Sequence, residues 1–486
     1  MIQPSCETIE SLRGQYDVVP LCKEIYADIT TPIALLQKIA CRSSRYFLLE
    51  SVEGGEKWGR YSFLGFDPVM RATCREGVVE LERGGTRERI ETTRPMEVLR
   101  GIMSRYRAPK LPGLPPFAGG FVGYFSYAMI GYAEPTLHIR RGEAADFDVM
   151  LFDKVIAYDH LRQKIVLVAN MRTDRMMENY GKAAAELENL SAFVRSREPA
   201  PPLGVAEAPS FCCNMTKEAY CAMVERAKSY IRNGDIFQAV LSRRFESPYC
   251  GSLLSAYRVL RTTNPSPYMV FLHFDGQEVM STSPETLVRL QDGRLTTFPV
   301  AGSRPRGKTE EEDQALEREL LADEKELAEH NMLVDLGRND LGRISRFGSV
   351  KVTEYKMIHR YSKIMHICSR VEGDILENRD GLDAVESVLP AGTLSGAPKI
   401  RACEIIEELE PAPRDIYGGA LGYLDFAGNM DTCIAIRMAV KQNGHVTVQA
   451  GGGIVADSVP EKEYEESANK AMAVMQAIER AGEVEG

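Results

Sequence analysis

The chain lacks any surplus of positive charge: 59 lysines and arginines face 69 aspartates and glutamates, a formal net charge of -10. Proteins that work by neutralising nucleic-acid phosphates need a basic face, so this balance argues against that class. It does not exclude an anionic small molecule, because local cations or a metal can override the net sign. No C-x-x-C spacing occurs among the eleven cysteines, and the one close pair, Cys212 and Cys213, is adjacent. Neither a zinc site nor a disulfide frame is indicated, and the pattern reads as reduced thiols of a cytoplasmic protein. No basic start followed by an apolar stretch is present, so no secretory leader is visible. An uncharged run does exist from Leu111 to Ala133, long enough in principle to span a bilayer. Its three prolines and five glycines fit a turn and buried strands better than a membrane helix, and no membrane association is expected.

What is present is globular. A length of 486 residues with 44% hydrophobic and 26% charged composition supports a sizeable core in two or three domains. Proline and small residues concentrate between two helical stretches, which marks residues 197–210 as a linker between an N-terminal region, 1–196, and a C-terminal one, 211–486. Strands and helices mix without regular βαβ alternation, so the expected class is α+β with large antiparallel sheets flanked by helices. Near the C-terminus, alternating runs surround Asn443-Gly444, a strong hairpin signal, and predict an antiparallel meander. Thr309 and Glu312 stand in capping-box spacing at the head of an acidic helix, with Gly337 and Gly342 as stop signals.

Several residues could carry chemistry. In CIAIRMAV, strand alternation puts Arg437 on one face with Cys433, Ala435 and Ala439, a floor on which a planar anion could lie. An arginine paired to a neighbouring carboxylate fits the same pattern. The segments GTLSGAPKI, with Thr393, and AGGGIVADS, with Gly451, Gly452 and Gly453, could supply backbone donors or a nest to an anion, or could be plain turns. Glu326 and Glu329 are three apart on one helix, along a stripe that continues into Leu333 and Leu336. Glu463 and Glu466 are three apart on another, with Lys470 one turn beyond. Inward-facing acids need a partner, and a hard cation such as Mg²⁺ suits several carboxylate oxygens; two solvated acidic faces are the other reading. His366 alternates with Ile364 and Cys368 and reads first as a core histidine bonded to a carbonyl, and Glu285 reads first as a surface turn.

In order, SPETLVRL, DEKELAEHNMLVDLGRNDLGRIS, IMHICSRVEG, PAGTLSGAPKIRACEIIEELE, IYGGALGYLDF, IAIRMA and QAGGGIVADSVPEKEYEESANKAMAV resemble the chorismate-utilising enzymes. The resemblance covers nearly all of the chain after the linker. VPLCKEIYADITTPIALLQKI and FLLESVEGGEKWGRYSFLGF are similar to the branch that forms anthranilate. It implies the fold of that family, a sandwich of large antiparallel sheets flanked by helices, and a metal-binding acid cluster of Glu326, Glu329, Glu463 and Glu466 for Mg²⁺. Arg437, Tyr417 and Gly451 to Gly453 would hold the enolpyruvyl carboxylate of chorismate, Thr393 would orient its ring, and Lys470 would balance charge. Glu285 would be the general acid, with its pKa raised by burial near other acids, and His366 would assist pyruvate elimination. FLLES and NPSPYM resemble the segments that hold feedback-inhibiting tryptophan, which implies Glu50, Ser51, Lys57, Pro265, Tyr268 and Met269 for that pocket.

Two positions narrow the chemistry within the resemblance. FPVAGSRPRG carries Ala301 where the aminodeoxychorismate-forming relatives carry an attacking lysine, and Gln238 stands where isochorismate-forming relatives have a lysine that activates water. Direct attack by ammonia is therefore expected. No G-x-C-x-G nucleophile elbow occurs, which implies a separate glutamine amidotransferase subunit and a hetero-oligomer. The alternatives are the first component of aminodeoxychorismate synthase, or a non-catalytic tryptophan sensor on the same scaffold.

Overall fold

The computed structural model describes residues 2–51, 59–196, 198, 200–201, 203–204, 206–360 and 364–484. Its frame is two large antiparallel sheets of thirteen and twelve strands. The first runs from Ile2–Gln3 and Val18–Tyr26 through Lys164–Arg172, Lys154–Asp159, Tyr61–Phe66 and Arg45–Glu50. It continues into Tyr268–Phe274, Gln277–Ser283, Met438–Gln442, His445–Ile454 and Gln238–Pro248. The second takes Ile364–Asp374, Thr286–Gln291, Met430–Ile434 and Ala420–Asp425 from the later part of the chain. To these it joins Gly120–Phe125, Phe147–Phe152 and Met70–Arg75 from the earlier part. Both sheets thus cross the stretch marked as a linker. Between the helix Met176–Arg195 and the short strand Cys212–Cys213, no described residue belongs to a helix or strand.

Alternation places one face of each sheet against the other. Phe47, Val122, Phe152, Leu272, Leu421 and Cys433 fill the space between them. The outer face of the first sheet packs under the helices Pro32–Ala40, Met176–Arg195, Leu253–Thr263 and Pro460–Glu479, and that of the second under Pro95–Met103, Glu324–Gly342 and Gly381–Val388. The layers therefore run helix, sheet, sheet, helix, as the antiparallel patterning leads one to expect. The uncharged run from Leu111 contributes the buried strand Gly120–Phe125, and among the described residues no helix is long and apolar enough to cross a membrane. None of the eleven cysteines is in a disulfide among the described residues.

Five local expectations need correction. The C-terminal strands are not one meander. Ala420–Asp425 pairs with Met430–Ile434 in the second sheet, whereas Met438–Gln442 pairs with His445–Ile454 in the first. The chain changes sheets at Ala435–Arg437, and Arg437 takes a left-handed φ of 48° there, so the strand alternation assumed for its side chain is broken. The acidic helix is two helices, Glu310–Ala322 and Glu324–Gly342, because Asp323 leaves helical geometry and caps the second by accepting from the Lys325 and Glu326 amides. Thr309 caps the first, but Glu312 reaches the Lys308 amide rather than closing a box, and Gly337 lies inside the second helix. The Asn443-Gly444 hairpin is present as expected, with φ of 52° and 76° at its two turn residues.

Candidate active site

Glu285 sits between the strands Gln277–Ser283 and Thr286–Gln291, where the chain passes from the first sheet to the second. Its carboxylate oxygen accepts a 3.0 Å hydrogen bond from the hydroxyl of Thr393, which stands on the 3-10 turn Gly392–Leu394. Burial pushes its pKa up to about 8, opposed by Thr393 and by the charge of Lys470. The rise has burial as its cause and not neighbouring acids, because a carboxylate removed from water favours its neutral form. The surface-turn reading of Glu285 therefore does not hold.

The helix Pro460–Glu479 lies over the glycine-bearing end of the strand His445–Ile454 and presents Glu463, Glu466 and Lys470 on one face. Lys470 pairs with Glu466 at 2.7 Å and donates to the Gly451 carbonyl at 3.2 Å. From the facing helix, Glu329 feels both Glu466 and Lys470, and Lys325 acts on both Glu329 and Glu463. Burial first, then the neighbouring acids, holds Glu329 and Glu463 above the usual carboxylate range. Glu326 lies beside Glu329, and its oxygen is 3.8 Å from Arg304. The four acids thus converge from two helices, and the reading as two solvated faces fails for Glu326, Glu329 and Glu463, which are part-buried; Glu466 alone is exposed.

Such a cluster suits a divalent cation: two like charges about 4 Å apart repel by about 4 kcal/mol at an effective dielectric near 20, and a shared ion reverses the sign. Gly452 fits the same purpose, since a Cβ there would stand 3.1 Å from a Glu463 oxygen. Among the described residues no three acid, histidine or cysteine side chains are close enough to enclose an ion alone. An ion here would complete its ligands from substrate and water.

Arg437 is part-buried at the switch between sheets, its pKa lowered by burial and held up by Tyr417 and Glu466. Tyr417 is buried, with its hydroxyl against the Gly451 backbone. Gly451, Gly452 and Gly453 are not a nest. They lie inside a strand, none has a positive φ, and they pair with Ser242, Leu241 and Val240. Their bareness serves close approach: a Cβ at Gly451 would meet the Leu241 carbonyl at 2.2 Å and one at Gly453 the Gln238 amide nitrogen at 2.1 Å. The Gln238 side chain is buried there, its carbonyl oxygen without a hydrogen-bond partner among the described residues.

His366 donates from Nδ1 to the Gly302 carbonyl at 3.0 Å, and burial with the charge of Arg437 lowers its pKa. A bulge between Ala301 and Ser303 aims that carbonyl, and Gly302 permits it with a φ of 68°. Ala301 is buried opposite Ile367. The two arginines of FPVAGSRPRG are clamps: Arg304 holds Glu319 and Asp323, and Arg306 holds Asp313.

The segments FLLES and NPSPYM meet as neighbouring strands, with Glu50 opposite Met269. Their side chains divide between the two faces of the sheet. Met269 packs in the helix-side core and Tyr268 against the core between the sheets. Glu50 is buried and already satisfied by Tyr257, Arg261 and Ser62. The Ser51 hydroxyl is buried without a partner among the described residues, and Pro265 is half-buried beside the start of the Tyr268 strand. Tyr268 bonds Thr286 at 2.9 Å and Asp431 at 2.8 Å. Lys57 lies outside the described residues.

Sequence reasoning missed the buried pair of Arg414 and Glu410, four residues apart after a helix ends, and the charge of Lys325 between the acids. An E-x-x-x-R spacing was the available signal for the first. Two clefts, of about 170 Å³ beside Phe426 and about 340 Å³ beside His138, lie elsewhere and are lined by none of these residues.

Acids from two helices, the part-buried Arg437 and the carboxyl of Glu285 are thus brought to one region of the two-sheet sandwich. The model of the chorismate binding enzyme family matches residues 45–476, and the chain belongs to that family. It is 45% identical to component 1 of anthranilate synthase from Acetivibrio thermocellus over the whole of both chains. It is 46% identical to that of Pseudomonas aeruginosa over 95% of this chain and 96% of the relative. The crystal structure of component I from Streptococcus pneumoniae superposes with a TM-score of 0.78 at 35% identity, covering 93% of this chain and 98% of that one. The menaquinone-specific isochorismate synthase of Escherichia coli shares the fold at 18% identity, with a TM-score of 0.70 over 97% of this chain and 98% of that one. Within the family the chain stands with the component I anthranilate synthases.

Proposed function

We propose that the chain is the large subunit of an anthranilate synthase, turning chorismate and ammonia into anthranilate, pyruvate and water as the first step of tryptophan biosynthesis in the cytoplasm. The observation that carries this reading is the Glu466–Lys470 hub. Its two charges reach Glu285, Arg437, Glu329 and Glu463, which come from separate parts of the chain. In this reading Arg437, Tyr417 and the Gly451 to Gly453 strand hold the enolpyruvyl carboxylate, and Thr393 orients the ring end. Glu326, Glu329, Glu463 and Glu466 hold Mg²⁺, which when bound supplies the positive charge that lets an anion rest beside four acids.

Ammonia forms a bond to the ring carbon next to the one bearing the carboxylate. The displaced electron pair moves through the conjugated system, the ring C–O bond breaks, and Glu285 gives its proton so that water leaves. General acid help of this kind contributes about 10² to 10⁴-fold. The proton on the aminated carbon is then removed, the ether bond to the enolpyruvyl group breaks, and protonation of the released enolate gives pyruvate. His366, kept neutral by burial, assists this second stage.

The absence of a G-x-C-x-G elbow and the component naming of the relatives support a partner glutaminase as the ammonia source. Tryptophan is proposed to bind where Arg45–Glu50 meets Tyr268–Phe274, in the pocket that the resemblance assigns to Glu50, Ser51, Lys57, Pro265, Tyr268 and Met269. Tyr268 bonds the residue that follows Glu285, so a ligand that shifts its segment shifts the acid.

Purified chain with chorismate, Mg²⁺ and ammonium at alkaline pH is expected to release blue-fluorescent anthranilate, and glutamine to serve only with the glutaminase added. Silence under both conditions would leave a tryptophan sensor, and a product that becomes aminobenzoate only after a lyase is added would indicate aminodeoxychorismate synthesis.

A further inference from the structure

The buried ion pair of Arg414 and Glu410 lies behind the site, with side chains 1% and 2% exposed. Arg414 grips Glu410 through Nε at 2.9 Å and Nη2 at 2.6 Å. Its remaining donors go to two backbone carbonyls, Leu394 through Nη1 and Val240 through Nη2, the latter at 2.6 Å. Glu410 in turn accepts the amide and the hydroxyl of Ser242, at 2.7 and 2.8 Å. The guanidinium carbon stands 4.8 Å from the Tyr127 ring and 5.9 Å from the Tyr417 ring.

These partners are neighbours of the reacting groups. Leu394 follows Thr393 on the turn that holds Glu285. Val240 and Ser242 are the strand partners of Gly453 and Gly451. Tyr417 packs on the guanidinium itself. Breaking a buried pair of this kind strands a charge and costs several kcal/mol, but an ion pair is seldom a cheaper filler than apolar side chains. Stability alone is therefore a weak reason for it. A planar fork that bonds one carboxylate and two separate main-chain segments sets distances, which a lysine cannot do.

We propose that Arg414, locked by Glu410, is a positioning residue that fixes the Thr393 turn, the glycine strand and Tyr417 relative to one another around the substrate. The proposal rests on the anthranilate synthase reading for its chemistry and on the hydrogen bonds above for its geometry.

The test is Arg414→Lys, which keeps the charge and loses the fork. Two readouts are taken: the pH profile of kcat for ammonia-dependent anthranilate formation, and the ionisation of Glu285 by infrared difference against Glu285→Gln. Thr393→Val removes a bond that holds the Glu285 proton affinity down, so it moves both titrations to higher pH. Arg414→Lys is expected to move them the same way, with kcat lower by on the order of ten- to a hundredfold. The double variant is expected to move them no further, because both changes break one contact.

A lowered melting temperature with the titrations unmoved, or shifts that add in the double variant, would overturn the proposal. Should Arg414→Lys not fold, Ser242→Ala loosens Glu410 by a single bond. An upward shift there supports the proposal, and an unmoved one overturns it. If the unaltered chain makes no anthranilate, the functional reading fails, and the infrared titration still decides the role of Arg414.

Discussion

Glu285 shows how far a single residue's chemistry depends on its surroundings. Its carboxyl is neutral below about pH 8 because burial penalises the charge, so turnover that needs its proton should fall as pH rises through about 8 with ammonia saturating. The same shift is a stability statement. A carboxyl whose folded pKa lies above its unfolded one contributes fully below the unfolded value and loses that contribution as pH rises to the folded value. Glu285→Gln should therefore lower kcat by about 10² to 10⁴-fold yet gain stability relative to the unaltered chain, by at most about 1.4 kcal/mol per pH unit between roughly 4.3 and 8. Urea midpoints across that range check it, and a constant difference would refute the assignment. Ser51 offers a second case. Its hydroxyl is buried without a partner among the described residues, at the seam of two strands, and Ser51→Phe should remove inhibition by tryptophan while sparing turnover. Unchanged inhibition would discredit the pocket.

Among the elements, the bulged strand Val300–Pro305 joins the acid helices to His366. Gly302 lies in the left-handed region, and a Cβ there would come within 3.2 Å of a Glu326 oxygen, Ile367 and Leu320. Gly302→Ala should cost about 1–2 kcal/mol and lower kcat as its carbonyl moves off His366. Gly84→Ala has a comparable φ of 54° with nothing within 4 Å, and should cost similar stability with kcat unchanged. Denaturation and rate measurements on the two variants separate strain from site damage; equal rates in both would deny the strand its role. Periodicity foretold most of these elements, because helices and hairpins follow local rules. It failed at Asp323, where a local cap starts a second helix, and at Arg437, where the chain passes from one sheet to the other.

At the scale of the molecule, the two halves complete each other's sheets. Arg45–Glu50 pairs with Tyr268–Phe274 in one sheet and Gly120–Phe125 with Ala420–Asp425 in the other. Each half alone would expose open edges and half of the core between the sheets. The chain expressed as two pieces divided after Gly204 should yield folded protein only when both are present, the pieces then co-eluting and unfolding in one transition. Independent folding of either piece would show that the shared sheets are not what holds it together.

Order along the chain, the types of the acids and the motif set were determined by the sequence itself, because they depend on spacing within ten or twenty residues. Spacing singled out Arg437 and the two glutamate pairs as candidates, whereas Glu285 and His366, read first as a surface turn and a core histidine, were pointed to only by the resemblance. Which groups meet was decided only by tertiary structure. The pairing of strands from distant parts of the chain, the sheet change at Arg437 and the burial that protonates Glu285 arise from contacts between residues far apart in sequence. The Arg414–Glu410 lock is of the same kind: its two residues are close in the chain, but the carbonyls they hold are not.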